Sequence, residues 1–294
     1  MSQFLIKSII AGKLLGNVKQ PDDWFGLKYN LNLYRGCQHQ CIYCDTRSEC
    51  YQIEDFDHEI LYKENAIELL RKELSTKRVK GTIGLGSMND PYQPVETELQ
   101  LTHRALEVIA EFGFPLHIIT KSSHILNDLE ILKKINLVYT TVSFTITTSD
   151  DALAKILEPG ASLPSERYKA MKILSDNGIQ VGISMMPILP FIEDNVENIT
   201  AILEKAHQAG VKYIIPAFGM TMRDRQREYF YRKLDEHFPD LKQKYIRKFG
   251  ENYSCSANNH EKLKNTFDAL CRQFGISPKI IPYRSDVGEQ LSLF

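Results

Sequence analysis

Three cysteines, Cys37, Cys41 and Cys44, stand within eight positions of one another in the run GCQHQCIYC. Thiolates spaced four and three residues apart can wrap one compact metal centre, and soft sulfur ligands select iron–sulfur or zinc over hard cations. Three such ligands leave one iron of a four-iron cluster without a protein partner, the open position that a substrate or cofactor needs. A structural zinc site is the alternative, with His39 or Cys50 as the fourth ligand. Structural zinc sites commonly pair two distant CxxC knuckles, however, and no second knuckle occurs in this chain. Six cysteines in 294 residues are too few for a disulfide scaffold, so the clustering argues for metal in a reducing compartment.

The elements that must position these thiols alternate short β-rich runs with amphipathic helical stretches, the pattern of a parallel sheet with crossover helices. Strands are expected near Lys28–Tyr34, Gly81–Gly86, Leu116–Thr120, Val138–Thr147, Gln180–Met186 and Lys212–Ala217. Apolar residues at helical spacing mark Asn65–Ser75, Glu96–Phe112, Leu126–Ile135, Ser165–Asn177 and Val196–Gln208, with Gly113, Gly178 and Gly210 placed to close three of them. Six such units predict an α/β fold, a partial (β/α)6 TIM-type barrel. The cysteines then fall on the loop after the first strand, at the end of a barrel where active sites are built. Arg223–Lys248 and His260–Phe274 read as helices of a C-terminal extension over the barrel. The expected organisation is an N-terminal segment 1–27, a barrel 28–220, an extension 221–285 and an exposed tail 286–294.

CxxxCxYC after the first strand of such a pattern resembles the radical SAM superfamily. The segments LNLYRGCQHQCIYC, GSMNDPYQPVE, IITKSS, FTITT, LEP with SERYKAMKIL, VGISMMPILP and YSC with a downstream LC and GI are similar to its spore photoproduct lyase-like branch, which includes proteins of DNA repair. The resemblance implies a [4Fe–4S] cluster on Cys37, Cys41 and Cys44 whose fourth iron is chelated by S-adenosylmethionine (SAM). It implies reductive cleavage of SAM to a 5′-deoxyadenosyl radical, and an external electron donor. By the same resemblance Tyr43 would lie near the adenine and Ser87, after the glycines of GLGS, would make a polar contact to SAM. Lys121 ends the apolar strand HIIT and should project at the barrel mouth, where an ammonium can pair with the SAM carboxylate. Ser143 shares its parity with Tyr139, Thr141, Thr145 and Thr147, a polar stripe beyond what packing of a buried strand requires, and is a further SAM candidate. The branch carries arginine where this chain has Asn127 and Gly160, which puts arginine-dependent substrate contacts there in doubt.

The branch's lyase uses a cysteine as hydrogen-atom donor, which makes Cys255 in ENYSCS a candidate catalytic residue; Cys50 and Cys271 have no assigned role. Gln290, Leu291, Leu293 and Phe294 in the terminal QLSLF resemble the pentapeptide that binds the bacterial sliding clamp, so a clamp is an expected partner. Lys plus Arg number 36 against 37 Asp plus Glu, which excludes a global positive field drawing the chain onto nucleic acid. Delivery by a clamp would remove that need. The basic residues of Arg223–Lys248 are interleaved with Asp224, Glu228, Asp235 and Glu236, the pattern of a solvated mixed-charge helix. No apolar run approaches the ~20 residues of a membrane span, and the first residues lack a signal-peptide cleavage site. A cytoplasmic radical SAM enzyme acting on DNA is the leading expectation. Modification of RNA, a peptide or a small molecule, and a non-catalytic zinc-stabilised DNA adaptor, are the alternatives.

Overall fold

The computed structural model describes residues 4–18 and 24–284. Strands β1 (Leu5–Ile9) and β2 (Leu15–Asn17) come first, and β3 (Tyr29–Leu31), β4 (Tyr34–Arg35) and β5 (Glu59–Lys63) bracket the cysteine loop. The chain then runs α1 (Ala66–Ser75), β6 (Ile83–Leu85), α2 (Glu96–Leu99), α3 (Leu101–Phe112), β7 (Leu116–Thr120), α4 (Leu129–Ile135) and β8 (Thr140–Thr145). Next come α5 (Asp151–Leu157), α6 (Pro164–Asp176), β9 (Gln180–Met185), α7 (Val196–Gln208) and β10 (Tyr213–Pro216). A final part holds β11 (Gly219–Thr221), α8 (Gln226–His237), α9 (Leu241–Phe249), β12 (Ser254–Ser256) and α10 (His260–Phe274).

The main sheet has the order β10-β9-β8-β7-β6-β3-β2. Neighbours from β3 to β10 are parallel, with Ile118 opposite Val142 and Val142 opposite Val181, while β2 joins β3 antiparallel. Six parallel strands with crossover helices and two unjoined edges make the partial (β/α)6 barrel that the sequence predicts. The alternation along β8 explains why it holds: Val142, Phe144 and Ile146 join Ile118, Ile183 and Met171 in the shell core beneath the helices. Thr141 and Ser143 point the other way, into the barrel. There the Tyr213 hydroxyl bonds Thr141 Oγ1 at 3.0 Å and Ser143 Oγ at 2.7 Å, and His117 Nε2 meets Ser143 Oγ at 2.8 Å. The polar stripe is thus satisfied internally, as burial demands.

Several elements escape the sequence pattern. β1 pairs parallel with β5, which pairs antiparallel with β4 in a small second sheet; its strands are short and half-exposed and lack clear alternation. The helix expected over Glu96–Phe112 breaks at Gln100 (φ 49°), and the one expected over Arg223–Lys248 breaks at Asp240 (φ 69°) after Pro239. Leu15 of β2 and Leu263, Phe267 and Cys271 of α10 lie in the same buried cluster as the barrel strands. Among the described residues no helix is long and apolar enough to cross a membrane.

Candidate cofactor and substrate site

The loop after β4 carries the cysteines, and its backbone is pinned from three sides. Gln40 takes φ 52°, turning the chain so that the thiols before and after it face one space. Its side-chain amide donates to Cys37 O at 3.1 Å and Phe56 O at 3.0 Å. Gln38 N donates to Gln93 Oε1 at 2.9 Å, and Val95 N returns a bond to Gln38 Oε1 at 2.6 Å. From the α5–α6 side Ile42 N donates to Leu157 O at 2.9 Å and Gly160 N to His39 O at 3.0 Å. From the C-terminal part Gln226 Nε2 donates to Tyr43 O at 3.0 Å. The Arg47 guanidinium lies 3.4 Å from the centre of the Tyr229 ring and 4.5 Å from that of Phe56.

Cys37, Cys41 and Cys44 line one cavity of about 660 Å³ at the C-terminal ends of the strands, a size that suits a small-molecule site. All three are unpaired, and Cys37 and Cys41 are buried. Burial pushes the Cys37 thiol up to about 12, and burial raises Cys41 against the opposing pull of Lys121. Two buried thiols that resist ionisation in the bare protein, with Cys44 beside them on the same cavity, are a donor set that a thiophilic cationic centre would stabilise. Among the described residues no three His, Cys, Asp or Glu side chains are placed to hold a single metal ion. Of the two residues weighed as a fourth zinc ligand, His39 lines the cavity with its Nδ1 3.3 Å from Asp90 Oδ2, and Cys50 is exposed and does not line the cavity. Three thiols of one loop lining one cavity are the donor number that holds three irons of a four-iron cube and leaves the fourth open.

Tyr43, Ser87 and Lys121 line the same cavity. Ser87 follows Gly86, whose φ is 95° and where a Cβ would stand 1.9 Å from Ile119 O, so only glycine permits this close crossing of β6 onto β7. Ser87 Oγ donates to Asn30 Oδ1 at 2.9 Å. The Lys121 ammonium lies 5.8 Å from the centre of the Tyr43 ring. Burial would lower its pKa, but Cys41 and Glu158 hold it above the usual lysine value. Asp90 fastens this wall: its carboxylate accepts from Tyr92 N at 2.9 Å, Thr120 Oγ1 at 2.7 Å and Lys121 N at 2.6 Å. Burial alone would raise the Asp90 carboxyl, yet His39 and these donors hold it at about 2.

Two expectations change. Ser143 lies beneath the cavity, its hydroxyl committed to Tyr213 and His117; Thr145, one pleat further along β8, lines the cavity with Ser184 of β9. The polar parity is therefore right for the barrel interior, but depth along the strand decides which hydroxyl is available. Cys255 faces away: Ser254 and Ser256 line the cavity, while Cys255 is fully buried among Phe230, Leu234, Tyr245 and Phe249. Sequence reasoning also missed residues. Asp90 in GSMNDPYQPVE, Glu158 in LEP and Arg167 in SERYKAMKIL stood inside segments that carry the family resemblance but were given no role of their own.

The opposite wall is apolar, with Trp24, Phe25, Met186, Pro187, Phe218 and Met220, so one space joins a polar, sulfur-bearing end to an apolar one. A barrel with thiols at its C-terminal mouth defines a metallocofactor enzyme class. The family model of the radical SAM superfamily matches residues 31–201, and this chain belongs to the radical SAM superfamily. It is 33% identical over 195 residues to an uncharacterized protein of Methanocaldococcus jannaschii, covering 66% of this chain and 71% of that one. It is 28% identical over 225 residues to an uncharacterized protein of Mycobacterium tuberculosis H37Rv, covering 74% of this chain but 66% of the relative's length. Among solved structures, a spore photoproduct lyase variant with bound AdoMet and dinucleoside spore photoproduct superposes with a TM-score of 0.64 at 16% identity, over 92% of this chain and 79% of that one. At that identity the likeness is one of fold.

Proposed function

We propose that this protein binds one [4Fe–4S] cluster through Cys37, Cys41 and Cys44, binds SAM beside it, and carries out lyase-like radical chemistry on DNA, in repair or processing. The observation that carries the reading is that the three thiols, Tyr43, Ser87 and Lys121 line one cavity at the barrel mouth. When bound, the cluster and SAM supply one-electron reductive cleavage that delivers a hydrogen-abstracting 5′-deoxyadenosyl radical, given an external electron donor. Lys121 offers its ammonium to a carboxylate, Tyr43 offers a flat ring to the adenine, and Ser87 a hydroxyl. The hydroxyls of Thr145 and Ser184 face the same space. The apolar wall of Phe25, Phe218 and Met220 keeps water from the reacting centre, which guards against side reactions.

The resemblance of this chain to the lyase-like branch supports DNA as substrate. The tail residues Gln290, Leu291, Leu293 and Phe294 lie outside the described residues; their likeness to a clamp-binding pentapeptide supports delivery to DNA by the sliding clamp. Three measurements test the reading. Anaerobic reconstitution should yield a brown protein with about four irons per chain, the count of the proposed cluster, and Cys41→Ala should hold none while staying folded; full iron in that variant refutes the ligand assignment. Deuterium should pass from labelled DNA into 5′-deoxyadenosine; transfer only from RNA, peptide or small-molecule substrates refutes the DNA assignment. A peptide carrying the tail sequence should bind purified clamp, and absence of binding removes that partner.

A further inference from the structure

Glu158 and Arg167 form a buried pair beside the cysteine loop, exposed by only 2% and 1%. The Glu158 carboxylate accepts from the Tyr43 hydroxyl on one oxygen and from Arg167 Nη2 on the other. Arg167 places its remaining donors on the cavity framework: Nη1 to Thr145 O at 2.8 Å and Nε to Ser162 O at 2.8 Å. Burial would raise the Glu158 carboxyl, but Arg167 and Lys121 hold it below its ordinary value. Burial pushes the neighbouring Glu193 up to about 8, and Glu158, with Cys41 and Asp90, is among the groups that hold the Lys121 ammonium charged against burial.

A buried ion pair is a poor means of stabilising a fold, because apolar residues of similar volume often do as well or better. This one sits where one carboxylate oxygen holds the cavity-lining Tyr43 and the other holds Arg167, which in turn bonds the carbonyl of the cavity-lining Thr145. We propose that Glu158 is the positioning residue that sets the Tyr43 ring and the Lys121 ammonium at the cofactor end of the cavity. The proposal rests on reading that end as the SAM site. Without Glu158 the Tyr43 hydroxyl has no acceptor in its buried setting, and the ring is free to swing. The Lys121 ammonium then loses a compensating charge and the wall that Tyr43 provides beneath it. Partners that orient the groups directly holding a bound species commonly change affinity by about 10- to 100-fold when removed.

The test uses the full chain with its cluster reconstituted anaerobically, and reads SAM dissociation constant, iron content and thermal midpoint together. Glu158→Leu with Arg167→Met replaces the pair by apolar groups of similar volume. The variant should stay folded, with a midpoint lowered by no more than the lost hydrogen bonds to Tyr43, Thr145 and Ser162 account for, and its iron content should be unchanged, while SAM affinity falls by about tenfold. Tyr43→Phe, which removes only the hydroxyl, should weaken SAM binding in the parent and add nothing in the Leu/Met background. A folded Leu/Met variant that binds SAM within twofold of the parent overturns the proposal. Should that variant fail to fold, Tyr43→Phe alone decides, and unchanged SAM affinity overturns it. A parent that binds no SAM defeats the site assignment and this role with it; a parent that binds SAM beside a variant that binds equally well defeats only Glu158.

Discussion

Gly160 is the point where the α5–α6 connection touches the cysteine loop, and Gly160→Ala tests how tightly that loop is held. A Cβ there would stand 2.2 Å from Gln38 O, 2.9 Å from His39 Cα and 3.1 Å from Gln38 C. Non-bonded heavy atoms settle near ~3.5 Å, so the two backbones must part by roughly 1 Å. All three contacts are backbone, and no side chain can swing aside to absorb the shift. The separation breaks the 3.0 Å bond from Gly160 N to His39 O and carries His39 away from Asp90. Overpacking of about 1–3 kcal/mol and a lost buried hydrogen bond of about 1 kcal/mol give an expected cost of about 2–4 kcal/mol. Urea denaturation of the metal-free protein measures it, and iron uptake on reconstitution should fall in parallel. Gly178→Ala is the control. Its φ is 77° with open space around the added Cβ, so it should cost about 1 kcal/mol from backbone conformation alone and leave iron uptake intact. A Gly160→Ala protein with the parent's urea midpoint and full iron uptake would refute the claim that this contact shapes the loop.

Other outcomes follow from the same geometry. Burial lowers His117 to about 3, so the native state refuses a proton that the unfolded chain accepts below about 6.5. Stability is therefore lost as pH falls, by about 2 kcal/mol between pH 7 and 5; urea midpoints of the parent against His117→Gln over that range should diverge, and parallel curves would count against it. Gln226 is fully buried, and its amide donates to Tyr43 O at 3.0 Å and Thr221 O at 3.2 Å. Gln226→Ala should cost about 1–3 kcal/mol by leaving buried carbonyls unpaired, and a loss under about 0.5 kcal/mol, the usual range of surface substitutions, would show that the C-terminal part does not clamp the loop. Lys121→Met should weaken SAM binding at equilibrium with iron content unchanged, and equal affinity would remove Lys121 from the cofactor site.

Much of this was legible in the chain itself. The three cysteines lie within one loop, so their spacing alone brings them near one another. Strand parity and helical periodicity are local properties as well, which is why six βα units and the inward stripe of β8 could be read without coordinates. Lys121 was legible for a related reason, since the residue that ends a barrel strand emerges at the mouth whatever the neighbouring sequence.

Tertiary structure decided what local pattern cannot encode. Periodicity tells which side of a strand faces inward but not how deep each residue lies, so Ser143 and Thr145 looked equivalent until Tyr213, 70 residues beyond Ser143, was seen to occupy the space beside the first. Alternation in a three-residue strand is too short to orient, so the facing of Cys255 awaited the pairing of β12 with β11. The Glu158–Arg167 pair, its bond to a tyrosine 115 positions away and the contact of Gly160 with Gln38 all join segments distant in sequence. Such contacts arise only when the barrel brings the ends of several strands to one mouth, where burial makes each unpaired charge and each extra methyl group costly.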